Sequence, residues 1–106
     1  MKYIKIETTF EKRNEAARVA SLLIDNKLAS CCQLSEIVSY YNFENKRCEE
    51  NEVLLTLKTK AELYEKCEQF IKENHSYKVP QIIATKIKYG SCDYLNWINE
   101  SVRGEE

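Results

Sequence analysis

The chain has 106 residues with 16 basic and 17 acidic side chains, a formal net charge of −1. By size it is one domain, and 43% hydrophobic with 31% charged residues is an ordinary globular balance. The near-neutral charge leaves no electrostatic footprint for nucleic acid or for an anionic membrane surface.

Only Gly90 and Gly104 are glycines, Pro80 is the only proline and His75 the only histidine. Two isolated glycines cannot build a Gly-rich nucleotide cradle, and one histidine excludes the multi-histidine zinc motifs. The start, MKYIKIETTFEKR, has no apolar signal region, and no run approaches a membrane span. The five cysteines, Cys31, Cys32, Cys48, Cys67 and Cys92, are odd in number and contain no C-x-x-C spacing. The expectation is a cytoplasmic chain with reduced, mostly buried thiols, bound to no nucleic acid and inserted in no membrane.

Residues 3–10 alternate, with Ile4, Ile6, Thr8 and Phe10 on one side, and predict a strand. Residues 12–27 change to helical period: Ala16, Val19, Ala20, Leu23 and Lys27 share a face, with Ile24 beside it. Either Thr8 with Glu11, or Asn14 alone, can cap its start, and Asp25-Asn26 mark its end. Residues 28–43 read as a long strand, with Cys32, Leu34, Val38 and Tyr40 on one face and Cys31, Ile37, Tyr41 and Phe43 on the other. Two apolar faces imply a cover on each, one of which can be another subunit.

Residues 44–46 make the turn, where Asn45 is the residue suited to positive φ, and residues 48–58 return as a strand. Arms this long project from a small globule and leave edges that strand pairing between subunits would satisfy. Residues 60–74 predict a helix, with Thr59 and Glu62 as a capping box and Leu63, Cys67, Phe70, Ile71 and Asn74 as its stripe. Glu68 and Lys72 form an i,i+4 pair in the favourable order. Residues 74–81 are a loop and 82–89 a strand. Ser91 caps a final helix with Tyr94, Leu95, Ile98 and Val102 as its stripe, and residues 103–106 form a frayed end. The order βαββαβ followed by a helix is the ferredoxin-like order of an α+β fold. It places both crossover helices on one face of an antiparallel sheet. The third helix and partner subunits are the covers available to the other face.

Five segments fall in order along the chain: LASCCQL at 28–34, SYYNFENK at 39–46, EVLLTLKT at 52–59, HSYKVPQII at 75–83 and DYLNWINESV at 93–102. Together they resemble the CutA family, the divalent-cation tolerance proteins, over nearly all of residues 1–106 as one domain. The resemblance implies a rigid, thermostable homotrimer with a long hairpin between the second and third strands, related in architecture to PII signalling trimers. It also implies a cytosolic role in divalent metal ion tolerance or response, copper above all, as a binding or assembly protein and not as an enzyme. The chain departs from the pattern at Ser76 (proline in the family), Phe43 (the turn tryptophan), Asn45 (the turn glycine) and Gln81 (often acidic). Thr8 and Asn74 stand where copper-binding members resemble Cys and His ligands. His75 alone remains as a metal candidate, for Cu or Zn held weakly, because tight binding needs several converging N or S donors.

The resemblance further implies a pocket between subunits, with Cys31, Glu52, Lys58, His75, Tyr77 and Lys78 as candidates. Each has a plainer reading as well. His75 beside a helix end can be a cap, favoured when protonated. Lys78 can bind an anion or stay solvated. Cys31 and Cys32, on opposite strand faces, divide between core and interface. Glu49, Glu50 and Glu52 can meet a hard cation or mark a solvated strand start, since no EF-hand loop is present. Trp97 with Tyr94 reads as packing before stacking platform. Two rival functions follow from the residues, a Cys nucleophile served by His75 and an RNA-binding sheet. The second lacks both the aromatic motif and the charge.

Overall fold

Antiparallel pairing along Tyr3–Phe10 organises the molecule. The computed structural model describes residues 2–104. In chain order the elements are β1 (Tyr3–Phe10), α1 (Arg13–Asp25), β2 (Cys31–Phe43), β3 (Lys46–Lys60), a 3₁₀ turn (Ala61–Leu63), α2 (Tyr64–Glu73), β4 (Ile82–Lys86) and α3 (Cys92–Ser101). β1 pairs antiparallel with both β3 and β4, and β2 with β3, so the sheet runs β2-β3-β1-β4. Four antiparallel strands and three helices make an α+β fold with the expected element order.

Strand alternation decides the core. The register sets Ile4, Ile6, Thr8 and Phe10 beside Thr59, Leu57, Leu55 and Val53, and all eight are buried. Ala16, Val19 and Leu23 of α1, with Leu63, Cys67 and Ile71, close over this face. Ile24, beside the buried stripe, stays 40% exposed. A fully buried Leu or Phe contributes about 1.5–3 kcal/mol through the hydrophobic effect, so this face carries most of the stability.

With glycine scarce, the turns use other residues. α1 ends with the Leu28 amide on the Leu23 carbonyl and the Lys27 amide on the Ile24 carbonyl, both at 3.0 Å. That is the Schellman pattern, and its left-handed residue is Lys27 at φ 55°. Lys27 therefore lies beyond α1, not on the helical face its spacing predicted. The β2–β3 turn has Glu44 at φ 51° and Asn45 at φ 63°, the two positive φ values that a primed two-residue hairpin needs.

Two predicted caps do not form. α1 begins after Lys12 with no side-chain cap, because Thr8 is buried within β1 and Asn14 lies inside the helix. Thr59 makes no capping box with Glu62: its Oγ1 donates to the Leu28 carbonyl at 2.6 Å, and a 3₁₀ turn precedes α2. The buried Leu28 carbonyl, left by the turn at Lys27, outcompetes the helix end for that hydroxyl. The Glu68–Lys72 pair forms at 2.9 Å, and Ser91 Oγ accepts the Tyr94 amide at 3.2 Å as the cap of α3. β4 ends at Lys86, short of residue 89, with one further bond from the Ile87 amide to the Tyr3 carbonyl. Arg103 is anchored by its amide on the Lys27 carbonyl at 2.9 Å, while Glu105 and Glu106 of the predicted frayed end lie outside the described residues.

α3 serves the opposite sheet face. It meets β3, where Lys58, pointing away from the core, sets its ammonium 5.7 Å from the Tyr94 ring centroid. Ile98 is buried but stands outside the main core cluster. Along the chain's long axis β2 and β3 continue past β1, whose last partner is Val53. Residues 37–43 and 46–52 thus form a two-stranded arm that exposes Val38, Tyr40, Tyr41 and Phe43, within overall extents of 45 × 26 × 20 Å.

Two threonines on the core face predict opposite outcomes for one substitution. Thr8 Oγ1 is buried with no hydrogen-bond partner, while Thr59 Oγ1 satisfies a buried carbonyl. Thr8→Val should stabilise the chain by about 1 kcal/mol, and Thr59→Val should destabilise it by about 1–3 kcal/mol. Urea unfolding midpoints check both signs.

Candidate functional site

The loop 74–81 wraps the end of β1, at the point where β3 leaves it to form the arm. Each of its first residues is tied to a different element. Asn74 ends α2 with its Nδ2 on the Phe70 carbonyl at 2.9 Å, and its own carbonyl accepts from Arg18 of α1 at 3.0 Å. The Ser76 amide donates to Glu15 Oε2 at 2.8 Å. A proline here, as in the family pattern, has no N–H to give, so the Ser76 departure adds a bond from the loop to α1.

His75 is the hub. Its ring stacks on Phe10 at 4.2 Å between centroids and 11° between planes. Nε2 lies 2.8 Å from the Thr9 carbonyl, and Nδ1 lies 3.0 Å from the Tyr77 amide. A carbonyl can only accept and an amide N–H can only donate. Nε2 therefore carries the proton, Nδ1 accepts, and the ring is neutral. Burial holds the imidazole below its ordinary value, against the raising effects of the Thr9 carbonyl, Glu15 and Glu52. This corrects the protonated cap expected from the helix end.

Tyr77 extends the chain of contacts. Its ring lies 5.0 Å from that of His75, and its hydroxyl donates to Glu52 Oε2 at 2.7 Å. Glu52 is 8% exposed. Burial, then the bond to Glu52, pushes the Tyr77 phenol upward, so it stays a donor at neutral pH. A line Thr9–His75–Tyr77–Glu52 thus couples β1, the loop and the root of the arm.

Within one chain the six predicted pocket residues separate. Glu52, His75 and Tyr77 come together. Lys78 lines an adjoining cleft of about 510 Å³ that Tyr77 shares, with Glu68, Lys72, Pro80 and Ile82. Cys31 and Lys58 are cross-strand partners near the far end of β1, roughly 20 Å along β3 from Glu52 at ~3.3 Å per residue. Sequence reasoning missed Thr9, Phe10, Glu15 and Arg18. Their patterns mark only a strand end and a helix face, and nothing local pairs them with a loop some sixty positions away.

A divalent cation does not fit the donors present. Both nitrogens of His75 are engaged, Thr8 offers a neutral hydroxyl inside the core, and Asn74 is a helix cap. Among the described residues no three His, Cys, Asp or Glu side chains are grouped to hold a metal. For the thiol–imidazole pairing, the Nδ1 lone pair of His75 is engaged by the Tyr77 amide. Burial also pushes Cys32 and Cys67 each up to about 12, away from thiolate.

Two outcomes follow for His75. Calorimetric titration of Cu²⁺ or Zn²⁺ should give the same affinity for wild type and His75→Gln; a tenfold or greater loss in the variant would make the imidazole a ligand. The depressed imidazole also sets a pH dependence. The unfolded chain binds the proton first as pH falls, so the contribution of His75 is complete above about 6.5 and is lost as pH drops below it. The urea midpoint should fall from pH 7.5 to 5.5, and less so in His75→Gln.

The comparisons with known proteins agree with this architecture. The family model of the CutA1 divalent ion tolerance protein matches residues 4–101. The divalent-cation tolerance protein CutA of Pyrococcus horikoshii is 36% identical over 100 residues, covering 94% of this chain and 98% of that protein. A probable divalent-cation tolerance protein cutA homolog of Encephalitozoon cuniculi is 33% identical over 97 residues, covering 92% and 85%. The crystal structure of CutA1 from Oryza sativa superposes with a TM-score of 0.94 at 35% identity, covering 97% of this chain and 95% of that one. With a family match across nearly the whole chain and a shared fold, this chain belongs to the CutA1 divalent ion tolerance family.

Proposed function

We propose that the chain serves divalent-cation tolerance as a non-catalytic binding and assembly protein, working as a cytosolic homotrimer. The observation that carries this reading is the arm formed by β2 and β3. It exposes Val38 by 52%, Tyr40 by 59% and Phe43 by 61%, on strands that have no third neighbour. A two-stranded ribbon with an open edge and apolar side chains exposed along one strand is unfavourable in water and is relieved by pairing with another copy. Family membership supports the tolerance role, and the names of the relatives carry tolerance rather than a reaction. Five free thiols suit a reducing compartment. No described helix is long and apolar enough to cross a membrane.

On this reading His75, Tyr77 and Glu52 set the angle at which the arm leaves the body. The cation-dependent step would then be a change in assembly or partner binding, not turnover at a resident metal. Light scattering should give three times the chain mass. The double variant Tyr40→Asp with Phe43→Asp should shift the protein to smaller species by placing charge in the paired arm. A wild-type monomer at micromolar concentration would overturn the proposal.

A further inference from the structure

The second sheet face carries a group of cations for which the tolerance role has no use. Lys5 and Lys58 are direct cross-strand partners, and Lys60 follows Lys58 on the same side, opposite Tyr3. Directly opposed like charges on a sheet are destabilising. The Lys58 ammonium donates to Gln33 Oε1 at 3.0 Å and sits over the Tyr94 ring, both neutral groups. Lys60 is only 5% exposed. The ion pairs Arg13–Glu36 and Lys72–Glu68 do not reach this face. Glu7, the carboxylate nearest along β1, pairs across with Thr56 and makes no ion pair with Lys5. Three lysines thus share one face of the sheet by register, one of them more than nine-tenths buried, and neither of those ion pairs involves them.

We propose that Lys5, Lys58 and Lys60 form an oxyanion site for a group carrying two or more negative charges, such as the phosphate of a small molecule. Lysines act on phosphate as compact point charges, and a multiply charged oxyanion relieves all three repulsions at once. Thr85, opposite Lys5, and Cys31, opposite Lys58, flank the cations in the same cross-strand row and add neutral groups at its margins. The site is separate from the His75 loop, and it lies on the sheet face that the assembly reading sets toward partner subunits.

The test uses the full chain and inorganic phosphate, with citrate as a carboxylate arm and chloride at matched ionic strength as reference. Phosphate should raise the melting temperature saturably above the chloride reference. Lys5→Gln should weaken that binding about tenfold or more, the loss expected when one charged hydrogen-bond partner is removed. Lys86→Gln, on the core-facing side of β4, should leave it unchanged. In chloride, Lys5→Gln should melt no lower than wild type, since it relieves a repulsion, which separates loss of binding from loss of folding. Saturable stabilisation by citrate and not phosphate would keep the site and assign its ligand to carboxylates. No saturable effect of either anion beyond chloride, or an effect that survives in Lys5→Gln, overturns the proposal.

Discussion

The unequal length of two paired strands governs this molecule. β3 has 15 residues and β1 has 8, and their antiparallel register is shared only from Val53 to Lys60. Where both are present, alternation sends one row of side chains under α1 and α2 and builds the core. Where β1 stops, the helices stop covering as well, and the same alternation leaves Val38 and Tyr40 in water though they continue the face of Cys32 and Leu34. The end of β1 is therefore both the boundary of the core and the root of the arm.

The loop after α2 occupies that boundary. Its hydrogen bonds run to α1, β1 and β3, and two of them use a carbonyl that the end of an element leaves unpaired. The Thr9 carbonyl, near the last residue of β1, is met by His75, and the Asn74 carbonyl, at the end of α2, is met by Arg18. This explains why the imidazole is neutral. Its two neighbours are a pure acceptor and a pure donor, and a second ring proton would face the Tyr77 amide. His75 thus serves as a hydrogen-bond junction between β1 and the loop.

Scarcity of glycine shapes the rest. Left-handed backbone falls to Lys27, Glu44 and Asn45, and only Asn tolerates it readily. At Lys27 the strain is offset by burial of Leu28 against Leu23 and by the Thr59 and Cys67 side chains that satisfy the Leu28 carbonyl. A hydroxyl that reads locally as a helix cap is thereby drawn into the core.

The strands, the three helices, their order and the family were legible along the chain, because alternation, helical stripes and the ordered motifs are local signals that a short window contains. Ser91 as a cap, Cys67 as core and Asn45 at positive φ were legible for the same reason. The capping of α1 and α2 was not, since Thr8 and Thr59 each had a competing place in the core that only the packed sheet reveals. Nor was the junction around His75, whose partners Thr9, Phe10 and Glu15 lie about sixty residues upstream. Hydrophobic periodicity and turn chemistry are written into neighbouring residues. The protonation state of one imidazole and the gathering of three lysines depend on which strands pair and in what register, and that is decided only when the chain has folded.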